Sequence, residues 1–282
     1  MAVIGGAVLY GEALCSAAAG FVARVMFPDR RVPQVPFSTG IVIPTFREAE
    51  NIAELVAQLR GVAPDARIVV VDDSPDLETV NAVAPMAGPT LEVVHRSGKG
   101  GRGSAVLEGM RALVTRGVDV VVEMDADHSH PPSELPRLLE EFQRERLDLL
   151  IASRYLKDSR IENWPLTRRL FSRAANTIAR TTLGVPVHDY TNGYRLYSRR
   201  AAELVVAECG KSGSGFIALS EILVTLHYHG LRIGELPTVF VNRARGESSL
   251  NAHEVLSAVS GLWSTIRLRR RLEHRGAHDR LS

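Results

Sequence analysis

The stretch from Val118 to Pro132, V-D-V-V-V-E-M-D-A-D-H-S-H-P-P, constrains the fold more than any other part of the sequence. Its first half is a β-branched apolar run of strand length, and Pro131-Pro132 blocks any continuation of the strand. An apolar run on successive residues is typical of a strand buried on both faces, as in a parallel α/β sheet. The sequence therefore predicts a buried strand that runs into Asp125-Ala126-Asp127.

Two carboxylates in this position, one residue apart, indicate a site for a divalent cation. Ligands of open α/β sheets gather beyond the carboxyl ends of the strands, where Asp125 and Asp127 are expected. Mg²⁺ and Mn²⁺ prefer oxygen ligands and bridge protein carboxylates to substrate phosphates. The alternative is a solvated acidic turn, and the two aspartates alone do not decide between these interpretations.

The same alternation of buried strand and helix recurs along the chain. It predicts the α/β fold class, with a doubly wound and mostly parallel sheet. A late strand is predicted over Glu235–Val241. The other apolar runs of strand length are Thr39–Pro44, Arg67–Asp73, Leu91–His95 and Leu147–Ala152.

The residues that follow the first two runs have two interpretations each. Thr45 precedes a helical pattern with Glu48 three residues later, which is the spacing of a capping box, so Glu48 is either a capping residue or a ligand-binding residue. Asp72 and Asp73 end the second run, where their carboxylates offer acceptors to a nucleotide ribose or base. Both segments are expected at the ligand-binding edge of the sheet.

A glycine-rich segment, R-S-G-K-G-G-R-G over Arg96–Gly103, separates the third run from the next helix. Its spacing matches neither the G-x-x-x-x-G-K-[ST] loop nor a G-x-G-x-x-G in a first βα unit, which excludes ATPase and dinucleotide-binding functions. Lys99 and Arg102 instead predict a wall that approaches a phosphate ligand with two cations. A flexible turn is the alternative.

Composition limits the location of the protein. Two cysteines are too few for a disulfide framework or a zinc site, which fits a cytoplasmic protein. No run reaches the ~18 apolar residues of a membrane span. The C-terminal pattern from Ala252 to Arg271 predicts a basic amphipathic helix, which either lies on an anionic membrane surface or packs on the domain. Nucleic-acid binding is not expected, because the basic residues gather at this tail without an aromatic stacking platform.

Taken in order, the motifs resemble those of family 2 glycosyltransferases of GT-A fold, and more closely the polyprenyl (dolichyl) phosphate mannosyltransferases. They extend over about residues 39–250. The matching segments are P-T-F-R-E-A-E-N at Pro44–Asn51, V-V-D-D-S-P-D at Val70–Asp76, K-G-G-R-G at Lys99–Gly103, M-D-A-D-H-S-H-P-P at Met124–Pro132, A-S-R-Y at Ala152–Tyr155, W-x-x-x-R-x-x-x-S-x-x-A-N from Trp164, and D-Y-T-N-G-Y-R at Asp189–Arg195.

The resemblance implies a nucleotide-diphospho-sugar donor, GDP-mannose by default, and a polyprenyl monophosphate acceptor. Asp125 and Asp127, with Ser129, would hold Mg²⁺ or Mn²⁺ against the diphosphate, and Ala126 lies between the two aspartates. Asp189 would lie where a loop closes over the sugar. The residues that would hold the nucleoside are Pro44, Thr45, Glu48 and Asp72. Those that would surround the diphosphate and the acceptor phosphate are Arg154, Arg168 and Arg243.

The expected chemistry needs no strong general base, because a phosphate acceptor is already an anion at neutral pH. A metal and arginines would stabilise the charge that develops on the departing nucleoside diphosphate. Asp127, Arg168 and Asp189 are the candidate catalytic residues, and Asp189 is the candidate base for a hydroxyl or amine acceptor. His128 and His130 are interpreted either as structural residues or as residues that support the metal ligands.

The sequence departs from the family pattern on the side assigned by analogy to the acceptor. Asn242 replaces an aspartate, Ser249 replaces a lysine, and Ala218-Leu219 replaces an aromatic-Gln pair. Two alternative functions therefore stay open. One is a transferase of another sugar, such as N-acetylglucosamine from a UDP donor, to a small or carrier-bound acceptor. The other is a non-catalytic subunit that binds nucleotide sugars.

The expected organisation has three parts. Residues 1–38 would form a helical extension and a proline-rich linker, residues 39–250 the GT-A domain, and residues 251–282 the C-terminal helix. The resulting prediction is a cytoplasmic enzyme, either free or peripheral on the cytoplasmic face of the membrane.

Overall fold

The computed structural model describes residues 37–96, 98, 100–210, 216–242 and 252–278, with side chains omitted at 216, 252–260 and 275–278. The predictions for residues 1–36, Lys99, Arg243 and Ser249 lie outside this range. The described residues from Ser38 onwards fall in one compact unit. The three-part division of the chain remains a prediction.

A seven-stranded sheet forms the centre of the fold, in the order β3-β2-β1-β4-β7-β5-β8. All neighbouring pairs are parallel except those of β7, which is antiparallel to both β4 and β5. This confirms the predicted mostly parallel α/β sheet. The strands are β1 (Thr39–Thr45), β2 (Arg67–Asp72), β3 (Leu91–His95), β4 (Val120–Glu123), β5 (Leu149–Ser153), β6 (Arg160–Glu162), β7 (Arg195–Ser198), β8 (Ile233–Pro237) and β9 (Val239–Val241).

Helices cover both faces of the sheet, and short 3₁₀ turns at Ala84–Met86 and Pro132–Glu134 precede β3 and α4. The described helices are α1 (Ala49–Val62), α2 (Glu78–Val83), α3 (Arg102–Thr115), α4 (Leu135–Arg144), α5 (Leu166–Leu183), α6 (Arg199–Glu208), α7 (Phe216–Tyr228) and α8 (Ala252–His278). None of them is long and apolar enough to cross a lipid bilayer.

The strands are apolar on successive residues because each strand face has its own core. Ile41 and Ile43 of β1 pack in one cluster with α1 and α4, whereas Val42 packs in the other with α3. Alternate residues of a strand point to opposite faces of the sheet, so both sets are buried. The continuous valine run of β4 follows from the same three-layer arrangement.

The C-terminal helix packs on the domain, which is one of the two alternatives that its sequence allowed. Leu272 is buried, and Leu262 and Ile266 pack against the same core cluster. Arg269 also donates from Nη1 to the carbonyl oxygen of Thr182 at 2.7 Å. Trp263 points outward with 61% of its surface exposed.

Two local predictions were wrong. Thr45 is not a helix cap: it is the last residue of β1, its hydroxyl donates to Asp72, and Glu48 is the N-cap of α1 without a side-chain capping bond. The late strand is two strands, because β8 pairs with β5 and β9 pairs with β6 in a separate two-stranded sheet. In both cases a distant partner determined the local structure.

Substitution of Gly109 tests how closely α3 packs on the sheet. A Cβ atom at this position would overlap Val42 of β1, so we expect Gly109→Ala to lower the free energy of unfolding by about 1–3 kcal/mol through overpacking. Urea denaturation measures the change. Gly61→Ala in α1 is the matched control: no atom lies within 4 Å of its added Cβ, and helix propensity predicts unchanged or slightly higher stability. Equal effects of the two substitutions would contradict the packing argument.

Candidate active site

The carboxyl ends of three adjacent parallel strands bring the predicted site residues together. Thr45 at the end of β1 pairs with Asp72 at the end of β2, and Pro44 pairs with Val71. Val42 pairs with Glu123, the last residue of β4. Asp125 and Asp127 lie two and four residues after Glu123, so they leave the sheet at the same edge.

The carboxylate of Asp72 is buried and is bound by three neighbouring side chains. Its Oδ1 accepts from Thr45 Oγ1 at 2.9 Å and from Ser74 Oγ at 2.7 Å, and its Oδ2 lies 3.0 Å from His95 Nδ1. Glu48 accepts from Asn51 Nδ2 at 2.7 Å. The strand ends are therefore held rigidly together, while the nucleoside-binding roles of these residues remain predictions.

Asp73 anchors the end of the glycine-rich segment. Its two carboxylate oxygens accept from Arg96 Nε at 2.5 Å and Nη2 at 2.6 Å, and Oδ2 also accepts from the Gly101 amide at 3.0 Å. Gly101 has φ +85°, a conformation that side chains rarely adopt. The described end of this segment is consequently a fixed turn that leads into α3.

Arg102, the first residue of α3, fixes the side chain of Asp125. Its Nε donates to Asp125 Oδ1 at 2.8 Å, and its Nη1 donates at 2.6 Å to Glu123, which also accepts from the Tyr197 hydroxyl. Burial alone would lower the pKa of Arg102, but Asp125 and Glu123 raise it above its ordinary value. Arg102 is therefore a permanent cation beside the paired aspartates.

The turn after β4 is shaped by side-chain-to-backbone bonds. Asp127 Oδ1 accepts from the Ser129 amide at 3.1 Å, and His128 adopts φ +59°. The Asp125 amide donates to His130 Nδ1 at 3.3 Å, which leaves the ring proton on Nε2 to bond Asn192 Oδ1 at 2.9 Å. His130 thus supports the turn, as its structural interpretation predicts. Ala126 and Ser129 are buried, whereas Asp125 and Asp127 are partly exposed.

Asp189 and Arg154 form a buried ion pair with two parallel bonds. Arg154 Nε and Nη2 each donate to the carboxylate at 2.8 Å, and the backbone amides of Arg154, Thr191 and Asn192 donate to it as well. Burial alone would raise the pKa of Asp189, but the Arg154 guanidinium and the backbone bonds hold it below its ordinary value. Asp189 is therefore a carboxylate that positions Arg154.

An aromatic cluster surrounds the two arginines that were predicted to contact phosphates. Arg154 lies 5.2 Å from the ring centroid of Phe240, and Arg168 lies 4.3 Å from that of Trp164. Arg168 also donates from Nη1 to Asn242 Oδ1 at 3.1 Å. Trp164 is buried, and its indole Nε1 has no hydrogen-bond partner among the described residues. A buried donor without an acceptor is unusual and indicates a place for a ligand oxygen.

The residues present fit a divalent ion of the Mg²⁺ or Mn²⁺ type. Asp125 and Asp127 are hard oxygen donors at a partly exposed edge. A Cβ on Gly193 would overlap the Arg102 guanidinium, so glycine leaves room for the arginine that orients Asp125. No group of three or more His, Cys, Asp or Glu side chains among the described residues forms a metal cage. Ions of this type are held by one or two carboxylates plus substrate phosphates, which matches a two-carboxylate edge.

Two supporting residues did not emerge from the sequence reasoning. Glu123 and Asn192 make no predicted ligand contact, but they hold Arg102 and His130 in place. Asp73, which was predicted to offer an acceptor to the nucleotide, is bound to Arg96. Glu123 has a signal in the sequence, since a carboxylate inside a buried valine strand requires a cationic partner. Ala218 and Leu219, where the sequence departs from the family pattern, are both buried, and a Cβ on Gly103 would overlap Ala218, so α7 packs closely on the first turn of α3.

The fold is of the α/β class, with a mostly parallel sheet whose charged side chains gather beyond the carboxyl ends of β1, β2 and β4. The sequence profile of glycosyl transferase family 2 matches residues 40–205. The chain belongs to this family and is a glycosyltransferase.

Three curated relatives are similar over most of the chain. Polyprenol monophosphomannose synthase of Mycolicibacterium smegmatis is 37% identical over 78% of this chain and 84% of that protein. Undecaprenyl-phosphate mannosyltransferase of Micrococcus luteus is 38% identical over 77% of this chain and 89% of that protein. Dolichol-phosphate mannosyltransferase of Pyrococcus furiosus is 32% identical over 80% of this chain, a match that spans 63% of that protein.

Solved structures share the fold. Glucosyl-3-phosphoglycerate synthase from Mycobacterium tuberculosis, in complex with Mn²⁺, UDP-glucose and phosphoglyceric acid, superimposes with a TM-score of 0.60. The two proteins are 20% identical, and the match covers 83% of this chain and 81% of the other. This likeness confirms the GT-A type of α/β sheet.

The buried Asp189–Arg154 ion pair should make the free energy of unfolding depend on pH. Asp189→Asn leaves a buried guanidinium without its counter-charge, so we expect the free energy of unfolding near neutral pH to fall by about 3–5 kcal/mol. The folded-state pKa of Asp189 is depressed, so its contribution is complete above the unfolded pKa of about 3.9 and disappears as the pH falls through the lower folded value. The difference between wild type and variant should therefore shrink below about pH 4.

Denaturant unfolding as a function of pH measures this difference. Asp65→Asn is the control, because Asp65 is an exposed loop carboxylate and its replacement should change stability by less than about 0.5 kcal/mol. A difference between wild type and Asp189→Asn that stays constant down to acid pH would contradict the ion-pair argument.

Proposed function

We propose that the chain transfers mannose from GDP-mannose, with inversion, to a polyprenyl monophosphate, and that it uses Mg²⁺ or Mn²⁺. The observation that carries the proposal is that relatives named for mannose transfer to polyprenyl phosphates match more than three quarters of the chain at 37% and 38% identity.

The donor side of the proposal rests on the edge formed by β1, β2 and β4. Thr45 and Asp72 are held at adjacent strand ends, where a nucleoside would lie, and Asp125 and Asp127 follow the next strand. A divalent ion bound by these two aspartates would offset the negative charge that develops on the departing diphosphate. Arg102, fixed against Asp125 at 2.8 Å, keeps that carboxylate oriented.

The acceptor side rests on Arg154, Arg168 and Trp164. Two guanidinium groups and an indole N–H without a partner supply the donors that a phosphate monoester requires. The carboxylate of Asp189 is bound to Arg154, so we assign it a positioning role rather than that of a base. A phosphate acceptor suits this arrangement because it attacks as an anion, whereas a hydroxyl acceptor would need a base.

The proposed acceptor, a polyprenyl monophosphate, also implies that the enzyme works at a membrane. A polyprenyl chain stays in the bilayer, so the enzyme must reach its substrate from the membrane surface. We therefore propose a peripheral association on the cytoplasmic face. Contact through α8 remains a prediction, supported by its exposed Trp263 and the neighbouring exposed arginines Arg267 and Arg270.

Thermal unfolding with GDP, UDP, dTDP, CDP and ADP, each with and without Mn²⁺, tests the donor. A ligand that binds the folded state raises the melting temperature, so we expect manganese-dependent stabilisation by GDP. Asp127→Asn should remove most of this dependence and lower kcat for mannosyl transfer by about 10²-fold or more, because it removes one ligand of the ion. Asp65→Asn, which changes the charge equally at an exposed loop, should retain both properties.

Other results would redirect the proposal. Stabilisation by UDP, with no transfer to any polyprenyl phosphate, would favour a different sugar and a small or carrier-bound acceptor on the same fold. Manganese-dependent binding without turnover towards any acceptor would favour a non-catalytic subunit.

A further inference from the structure

Arg102 binds two carboxylates at the end of β4, and one of them is a proposed ligand of the divalent ion. Its Nη1 donates to Glu123 Oε1 at 2.6 Å, and its Nε donates to Asp125 Oδ1 at 2.8 Å. Nη2 lies 2.7 Å from the same Asp125 oxygen, outside hydrogen-bond geometry. The protein thus places a cation in contact with a carboxylate that a metal ion would also need.

Glu123 keeps Arg102 in this place. The Glu123 side chain is fully buried, and its Oε2 accepts from the Tyr197 hydroxyl at 2.6 Å. A buried carboxylate that loses its counter-cation is costly, so this pair opposes the displacement of Arg102 by a further cation. The Arg102 side chain is itself only 22% exposed, which limits the screening of its charge by water.

A divalent ion at Asp125 and Asp127 would therefore share a carboxylate with a guanidinium. Two cations in contact with one carboxylate repel each other, and the repulsion grows where water is scarce. Mg²⁺ and Mn²⁺ also depend on substrate phosphates when the protein supplies only one or two carboxylates. A phosphate anion is attracted by the guanidinium that repels the metal. The same arginine therefore acts with opposite sign on the two ligands.

We propose that Arg102 sets the order in which the site fills. It weakens the binding of a divalent ion to the aspartates alone and favours the binding of a nucleoside diphosphate, so that the ion binds tightly once the diphosphate is present. This inference rests on the metal-dependent transfer proposed above. It goes further by assigning control of the metal affinity to a residue that is not a metal ligand.

The alternative role of Arg102 is one of orientation alone. If the arginine only aligned Asp125 for the ion, its removal would weaken metal binding. If it competes with the ion, its removal strengthens metal binding even though Asp125 loses a partner. The direction of the change separates the two roles, and a general loss of structure would resemble only the first.

Titration of the full-length protein with Mn²⁺, with the free ion measured by electron paramagnetic resonance, gives the metal affinity without nucleotide. Arg102→Gln should bind Mn²⁺ about tenfold more tightly than the wild type, or better. Arg111→Gln removes the same charge from an exposed position of α3, about 13 Å further along the helix. At that distance the charge is largely screened, so this control should stay within about twofold of the wild type. Equal or weaker binding by Arg102→Gln would overturn the proposal.

Loss of Arg102 leaves Glu123 buried without its cation, so a second variant keeps the test independent of that defect. Arg102→Gln/Glu123→Gln removes both charges, preserves the net charge of the wild type, and leaves an amide that can still bond to Tyr197. It should also bind Mn²⁺ more tightly than the wild type. Arg102→Lys retains a cation and should bind Mn²⁺ less tightly than Arg102→Gln. Wild-type affinity in the double variant would contradict competition by the arginine.

Nucleotide binding without metal should change in the opposite direction. GDP and UDP, each titrated calorimetrically in the presence of EDTA, should bind Arg102→Gln about threefold more weakly or worse, because a cation near the diphosphate is lost. A rise in Mn²⁺ affinity together with a fall in diphosphate affinity supports the ordering. Unchanged or tighter diphosphate binding by Arg102→Gln would overturn it.

The role of Arg102 and the proposed function can fail separately. Opposite changes in the two affinities with UDP as the preferred nucleotide would support the role of Arg102 and overturn only the GDP donor. The same changes without transfer to any polyprenyl phosphate would overturn only the acceptor. Absence of Mn²⁺ binding to the wild type and to Arg102→Gln, with and without nucleotide, would overturn both the metal dependence and the role of Arg102.

Discussion

The buried ion pair between Asp189 and Arg154 is the interaction on which the rest of the site depends. Two charges removed from water are costly to bury unless geometry and additional hydrogen bonds compensate. Here the carboxylate accepts two parallel guanidinium bonds and three backbone amides. The loop that supplies two of these amides, those of Thr191 and Asn192, also supplies the Asn192 side chain, which bonds to His130 and through it to the amide of Asp125. One ion pair therefore connects Arg154 to the turn that carries the paired aspartates.

The site edge is built so that several acids are neutralised by a neighbouring arginine. Asp73 pairs with Arg96, Asp125 with Arg102, and Asp189 with Arg154. Such pairing orients the carboxylates and leaves no strong net field at this edge. In the proposed function, a diphosphate bound with a divalent cation would enter a site whose local charges are already balanced, so that an acidic edge could accept an anionic donor.

The fold class could be predicted from the sequence because a strand buried on both faces is apolar on successive residues. Each of the strands β1 to β5 coincides with such an apolar run. The aspartates after β4 were placed correctly for the same reason. The ion pairs within the site could not be predicted from the sequence, because their partners are far apart along the chain. Arg102 and Asp125 are 23 residues apart, and Arg154 and Asp189 are 35 residues apart. Thr45 shows the limit most clearly: its local pattern matched a capping box, but its hydroxyl is taken by Asp72 on the neighbouring strand.

The antiparallel strand of the seven-stranded sheet, β7, determines which loops meet at the carboxyl edge. Because β7 runs antiparallel between β4 and β5, Arg195 at its start pairs with Glu123 at the end of β4. The segment that precedes β7 thus emerges at the edge where the segments following β4 and β5 emerge. In a parallel orientation its residues would lie a strand length away, about 13 Å for four residues. Because β7 is antiparallel, the loop that leads into it lies beside the loops that follow β4 and β5. The site is therefore formed by residues that precede one strand and residues that follow two others.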